Sequence, residues 1–150
     1  MDFFMEQLPA QPMLFMRRTG AYGIENNKLM ETLKEWAKRK GLFKDSIIYG
    51  IAHDNPAYTP QEQCRYDVCL VAETEFGAED EAVQKGEILG GKYAVFTVPH
   101  TEEAVREFWT SVFQNLQGQE LQIDIEKPIL ERYRYQLVED GKCEFCVPIV

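Results

Sequence analysis

Residues 88–117 read ILGGKYAVFTVPHTEEAVREFWTSVFQNLQ, and their periodicity changes in the middle. Up to Pro99 the run is short, apolar and rich in aromatic and β-branched residues, as a buried strand requires. Thr101 is a good helix N-cap, with Glu102 and Glu103 in the first turn, where the helix dipole favours acids. Beyond it, Val105, Phe108, Trp109, Val112, Phe113 and Leu116 recur at helical spacing and form one apolar stripe to about Gln117. Two more strands follow, ILERYRYQLV (129–138) and KCEFCVPIV (142–150), with Glu139, Asp140 and Gly141 as the turn.

The same order stands N-terminal to this stretch. MLFMRRT (13–19) reads as a strand, broken by Gly20, Ala21, Tyr22 and Gly23. Leu29, Met30, Leu33, Trp36 and Ala37 have helical spacing from about Asn27 to Lys40, with Asn26 or Asn27 to cap the start and Gly41 to stop the helix. SIIYGIAH (46–53) and CRYDVCLVA (64–72) are strands, separated by the turn DNPAYTP. Residues 73–87 are acidic and carry Gly, and they read as a surface connection. The pattern strand-helix-strand-strand is therefore stated twice, over about 13–72 and 88–150. An ungapped offset of about 80 residues places Met16 on Phe96, Leu33 on Phe113, Trp36 on Leu116, Ile51 on Glu131 and Val68 on Pro148. This predicts one α+β domain over 1–150, built from two pseudo-symmetric βαββ units whose helices each cover part of an antiparallel sheet. Ligands often sit where two such halves meet.

Composition narrows the function. Sixteen Lys and Arg against 25 Asp and Glu leave a net charge of -9 in 150 residues. No basic surface is available to displace counterions from a phosphate backbone, so direct nucleic-acid binding is not expected. The first residues, MDFFMEQLPAQP, lack the basic start of a secretory leader, and no run approaches the ~20 apolar residues of a membrane helix. A cytoplasmic protein is the expectation, with its four cysteines as thiols. Cys64-x4-Cys69 and Cys143-x2-Cys146 have spacings that suggest zinc, yet both pairs lie in strand-like runs. There alternation sends the Cys143 and Cys146 sulfurs to opposite faces, so buried apolar roles are expected and no metal or cofactor. His53 and His100 stand far apart with no nucleophile at a recognisable spacing. GAYG and LGGK lack the context of phosphate loops.

Several short runs together resemble a known family. They are RRTGAYG at 17–23, a helix ending in Trp36, YGIAHDNP at 49–56, TPQEQCRYD at 59–67, GGKYAVF at 90–96, Trp109, and PILERY at 128–133. Their order and spacing resemble the GyrI-like family, the effector-binding domain of AraC-type and MerR-type multidrug regulators. The resemblance implies two βαββ units forming a bent sheet around a central ligand pocket. Because it consumes residues 13–150, it leaves no room for a helix-turn-helix and implies a stand-alone binding domain that would reach DNA only through a separate transcription regulator. Some members of the family inhibit DNA gyrase, and others resemble cyclopropanoid hydrolases that open the strained ring of DNA-alkylating natural products.

The residue that carries most of this is Glu131. Alternation in PILERY places Glu131, Tyr133 and Tyr135 on one face and Leu130, Arg132 and Arg134 on the other. Taken alone, Glu131 reads as a solvated acid paired with an arginine. The resemblance instead puts a glutamate at this position in the pocket floor, where it offers a negative charge to lipophilic cationic or aromatic small molecules. In a hydrolase the same residue would be the general base. Trp36 and Trp109 are either core residues of their helices or pocket walls. Trp109 is the better wall candidate, because it is an aromatic of the second helix facing the second strand pair. Tyr22, Tyr49, Phe113 and Tyr133 complete the candidate walls.

Overall fold

The computed structural model describes residues 1–150. The chain runs β1 (Phe4–Leu8), β2 (Gln11–Thr19), α1 (Ile24–Arg39), β3 (Ile47–Ala52), β4 (Arg65–Val71), β5 (Gln84–Ile88), β6 (Gly91–Pro99), α2 (Glu102–Gly118), β7 (Leu130–Arg134), α3 (Tyr135–Glu139) and β8 (Lys142–Pro148). All eight strands join one antiparallel sheet in the order β1-β6-β8-β7-β3-β4-β2-β5. No helix is long and apolar enough to cross a membrane.

The α+β class and the doubled βαββ order are present, and the register shows how the halves are related. Reading straight across the sheet, Met16 lies opposite Val68, Val68 opposite Gly50, Gly50 opposite Glu131, Glu131 opposite Phe145, and Phe145 opposite Phe96. The row is symmetric about the gap between Gly50 and Glu131. A pseudo-two-fold axis passes there, perpendicular to the sheet, and exchanges β2 with β6, β3 with β7, β4 with β8 and β1 with β5. This corrects the ungapped superposition. Met16 does fall on Phe96, but the partner of Glu131 is Gly50 rather than Ile51, and that of Val68 is Phe145 rather than Pro148. The loops after each helix differ in length, and pairing rather than chain count decides equivalence.

Several boundaries also differ from the sequence reading. β1 was not anticipated, because FMEQL is a half-exposed edge strand that crosses to pair with β6 of the other unit. Its counterpart β5 takes its first four residues from the stretch read as a surface connection, where Val83 is buried, and ends on the buried Ile88. Gly90 separates β5 from β6, since a side chain there would strike the backbone of Leu8, Pro9 and Ala10. The first helix starts at Ile24 behind Gly23, not behind Asn26 or Asn27. The strand read over 129–138 ends at Arg134, and Tyr135 opens the short α3, so Tyr135 does not share a strand face with Glu131.

Each face of the sheet has its own core. On one face α1 covers Leu14, Ile48, Val68 and Leu70 with Leu33, Trp36 and Ala37, while α2 covers Ala94, Phe96 and Phe145 with Phe108, Val112 and Leu116. The sheet curls so that its other face closes on itself around Leu8, Tyr49, Ile88, Tyr93, Val95, Leu130 and Cys146. Cys143 and Cys146 do point to opposite faces. All four thiols are buried and free, and no cluster of His, Cys, Asp and Glu has a metal-holding arrangement.

A buried ion network ties this second face together. Arg132 donates to Glu144 at 2.9 and 3.1 Å and to Glu6 of the edge strand at 2.9 and 3.0 Å, and Arg134 adds bonds of 2.7 and 2.8 Å to Glu144. Glu144 is 1% exposed and Arg132 3%. Removing Arg132 alone leaves an uncompensated negative charge, with Glu6 unpartnered and the buried Glu144 held by Arg134 only, whereas removing Arg132 and Glu144 together leaves one acid and one base, Glu6 and Arg134, that both reach solvent. Arg132→Met is expected to lower stability in urea denaturation by about 3 kcal/mol. Arg132→Met combined with Glu144→Leu should lose much less, and equal losses would refute the network's role.

Candidate functional site

The two helices each cover one half of the sheet and leave the axis between them open. A cavity of about 550 Å³ fills that gap. Its walls combine the strand-to-helix break and first turn of α1 (Tyr22, Asn26), the end of β3 and the following turn (Ala52 to Pro56), Tyr66 of β4, Trp109 and Phe113 of α2, and Ile129. Glu131 lies at its floor, on the axis.

Glu131 is in place because its neighbours yield the space. Gly50 faces it across the β3–β7 pair, and a Cβ on Gly50 would lie 3.0 Å from Glu131 Oε1 and collide with the Tyr66 hydroxyl. A larger residue here would displace the Tyr66 ring, so glycine is favoured by contact and not by backbone conformation. The Tyr66 hydroxyl donates to Oε1 and the Tyr133 hydroxyl to Oε2, both at 3.3 Å. Burial pushes Glu131 up to about 7, and the two phenol hydrogen bonds offset only part of that. Burial and the adjacent carboxylate raise both phenols, which stay protonated as donors.

The other enclosed carboxylates are treated differently. Asp67 receives Arg17 at 2.6 and 2.8 Å and the His53 ring at 2.7 Å, and these bonds outweigh burial and hold its pKa below the usual carboxylate range. Glu144 has two guanidinium partners. Glu131 has no cationic partner. Arg132, its neighbour in sequence, points through to the other face and is spent on Glu6 and Glu144.

The walls are aromatic and only partly packed. Trp109 remains 39% exposed and Phe113 53%, the former braced edge-on by Phe108 and Phe145 at centroid distances of 5.1 and 5.5 Å. Tyr22 meets Tyr66 edge-on at 6.2 Å, and its hydroxyl accepts from Asp54 N–H and donates to the Arg65 carbonyl. Arg65 in turn clamps Asp54 through two side-chain bonds of 3.0 Å, so the turn bordering the cavity is pinned.

Of the residues singled out in the sequence, Glu131, Trp109, Phe113 and Tyr22 line one cavity, and Tyr133 touches it through Glu131. Two do not come to it. Tyr49 is fully buried on the other face of the sheet, because alternation turns it away where Gly50 faces the cavity. Trp36 is 2% exposed in the core under α1, its indole donating to Asp80 at 2.6 Å. Tyr66, Gly50 and Ala52 were missed. Alternation in CRYDVCLVA already puts Tyr66 with Val68 and Leu70, but only pairing brings it to Glu131. His53, set aside as a catalytic residue, does border the cavity, held by Asp67.

Comparison with known proteins agrees with this architecture. A family model described as the GyrI-like small-molecule-binding domain matches residues 1–150. The SPbeta prophage-derived protein YosT of Bacillus subtilis (strain 168), named as a transcriptional regulator, is 44% identical over 150 residues, covering 99% of both chains. The DNA gyrase inhibitor of Escherichia coli (strain K12) is 25% identical over 94% of this chain and 90% of its own length. Among solved structures, SAV2435 bound to tetraphenylphosphonium matches with a TM-score of 0.63 at 14% identity, covering 100% of this chain and 94% of that one. A hydrolase from Listeria innocua matches at 0.66 and 11%, covering 99% and 91%. At these identities the structural likenesses show the fold alone. The whole-length family match, the 44% identical relative and the observed fold together establish that the chain belongs to the GyrI-like small-molecule-binding domain family.

Proposed function

We propose that the cavity between α1 and α2 binds lipophilic aromatic cations and that Glu131 selects them by charge. The observation that carries this reading is the contrast among the enclosed carboxylates: Asp67 and Glu144 have cationic partners, while Glu131 has two phenol hydroxyls and an open cavity. Desolvation makes an unpaired carboxylate costly. A cation placed beside it removes that cost through Coulomb attraction, and the faces of Tyr22, Tyr66, Trp109 and Phe113 add cation–π contact. Neutral analogues gain neither. The tetraphenylphosphonium bound to SAV2435, a protein of the same fold, is a ligand of this chemistry.

Titration of tetraphenylphosphonium followed by tryptophan quenching tests the reading, since Trp109 lines the cavity and Trp36 does not. Glu131→Gln is expected to weaken binding at pH 8 at least tenfold, about 1.4 kcal/mol. Unchanged affinity would refute the selection by charge.

The pH dependence has a definite sign. Burial lifts the Glu131 carboxyl to about 7 in the folded chain, above its ordinary value of 4.5 in the unfolded one. Between these values the folded state holds a proton that the unfolded state lacks, so Glu131 makes stability fall as pH rises from 4.5 to 7. Glu131→Gln is therefore expected to raise the melting temperature relative to the unmodified protein at pH 8 and to lose that advantage by pH 4.5. A monocation binds the carboxylate form, so its affinity should drop about tenfold per pH unit below 7 and level off above it. Affinity independent of pH from 5 to 8 would exclude Glu131 as the titrating group.

One observation favours a second reading. A carboxyl that titrates near 7 in a water-accessible cavity is matched to general-base work at neutral pH, as a hydrolase of cyclopropanoid compounds would need. Mass spectrometry of a cyclopropanoid incubated with the protein is the test. A ring-opened, water-added product that vanishes in Glu131→Gln would establish hydrolysis, and intact compound with retained binding would exclude it.

A further inference from the structure

The register that sets Gly50 opposite Glu131 carries their neighbours onto counterparts as well. Two residues further along, Ala52 of β3 corresponds to Tyr133 of β7. The buried positions of the helices correspond when Leu33 is placed on Val112 and Ala37 on Leu116. Met30 then falls on Trp109, and Lys34 on Phe113.

A pseudo-symmetric molecule has two clefts between its helices, one on each side of the axis. The first is the cavity described above, with Trp109, Phe113 and Ala52 in its walls. The second is a recess of about 160 Å³ lined by Met30, Lys34 and Tyr133, the counterparts of those three, together with Asn27, Glu31 and His100. His100 stands in the strand-to-helix break of the second unit, as Tyr22 does in the first. Tyr66 borders both clefts. The difference in volume has a local cause. Ala52 leaves its side of the axis open, whereas the Tyr133 ring fills the equivalent space, fixed by its hydroxyl on Glu131 and by His100 at a centroid distance of 5.4 Å.

We propose that Tyr133 makes the binding site one-sided: its ring plugs a second, pseudo-symmetric cleft and so sets the length of ligand that the Glu131 site accepts. The proposal rests on the reading of Glu131 as a ligand site. Charge acts in the same direction as volume. Lys34 occupies the position of Phe113, so an ammonium, paired to Glu31 at 3.6 Å, stands where the open cleft presents an aromatic face. A cationic head is favoured in the first cleft, and only an uncharged extension of it fits the second.

The experiment compares two probes, tetraphenylphosphonium and decyltriphenylphosphonium, by calorimetry at pH 8. In the unmodified protein the decyl arm stays outside the recess, and the two affinities should agree within about threefold, the scale of less than one buried methylene. Tyr133→Ala gives β7 the residue of its counterpart and opens the recess. The preference for the decyl probe should then rise at least about tenfold, as burial of two methylenes requires. Tyr133→Phe loses the hydrogen bond to Glu131 but keeps the plug, so its ratio of affinities should match the unmodified protein. Ala52→Tyr, at an exposed position, builds the mirror-image plug and should weaken both probes more than tenfold.

An unchanged ratio in folded Tyr133→Ala overturns the proposal, as does a raised ratio in Tyr133→Phe. If Tyr133→Ala fails to show a cooperative melt, Ala52→Tyr decides, and full affinity for both probes in that variant overturns the proposal. Binding of neither probe to the unmodified protein instead removes the reading of Glu131 on which the proposal stands.

Discussion

A carboxylate lies on the pseudo-two-fold axis of a twisted sheet, with no cation to neutralise it. Everything around Glu131 is arranged to tolerate that charge without cancelling it. Gly50 gives up its side chain so that the carboxylate and the Tyr66 hydroxyl share the space across the axis. Tyr66 and Tyr133 supply one hydrogen bond each. The guanidinium groups of β7 are directed to the other face and consumed by Glu6 and Glu144. One short strand thus separates two electrostatic regimes by alternation alone: a fully paired ion network beneath the sheet, and an unpaired acid above it.

The pseudo-symmetry explains why the cavity lies there. Each βαββ unit buries one helix on its own half of the sheet, so the line where the units meet is the place where no helix covers the strands. The buried stripes of both helices are satisfied within their own units, which leaves Trp109 and Phe113 at the rim of the gap with much of their surface open. The two edge strands each cross to the other unit, β1 to β6 and β5 to β2. The halves are consequently one continuous sheet rather than two lobes, and the gap between the helices is part of the fold's geometry. Equivalent positions hold different residues. Gly50 against Glu131, Ala52 against Tyr133 and Phe113 against Lys34 turn a symmetric frame into an asymmetric pair of clefts.

Much of this was legible from residues. Period-two and helical spacing identified the two long helices and most of the strands, because burial on one face writes its period into the chain. Alternation correctly divided Glu131 and Tyr133 from Leu130 and Arg132. The edge strands were not legible. FMEQL and QKGEI are half-exposed and polar, and their pairing partners lie in the other unit, so no local pattern announces them. Tyr135 was misassigned for a related reason: RYRYQLV is compatible with a strand or a helical turn, and the change at Arg134 comes from the chain's need to reverse toward β8.

The chain alone determined the class, the doubled βαββ order, the candidate glutamate and an aromatic environment for it, since these depend on residue type and spacing. Only the tertiary structure decided which residues meet there. Tyr49 and Trp36 are aromatic and suitably spaced, yet one faces away from the cavity and the other lies under a helix. Tyr66 and Gly50 reach Glu131 through strand pairing across more than sixty residues of chain. The absence of a cation beside Glu131 is likewise a property of the folded molecule. Two arginines stand within three residues of it in sequence, and the pleat of the sheet sends both to the other side.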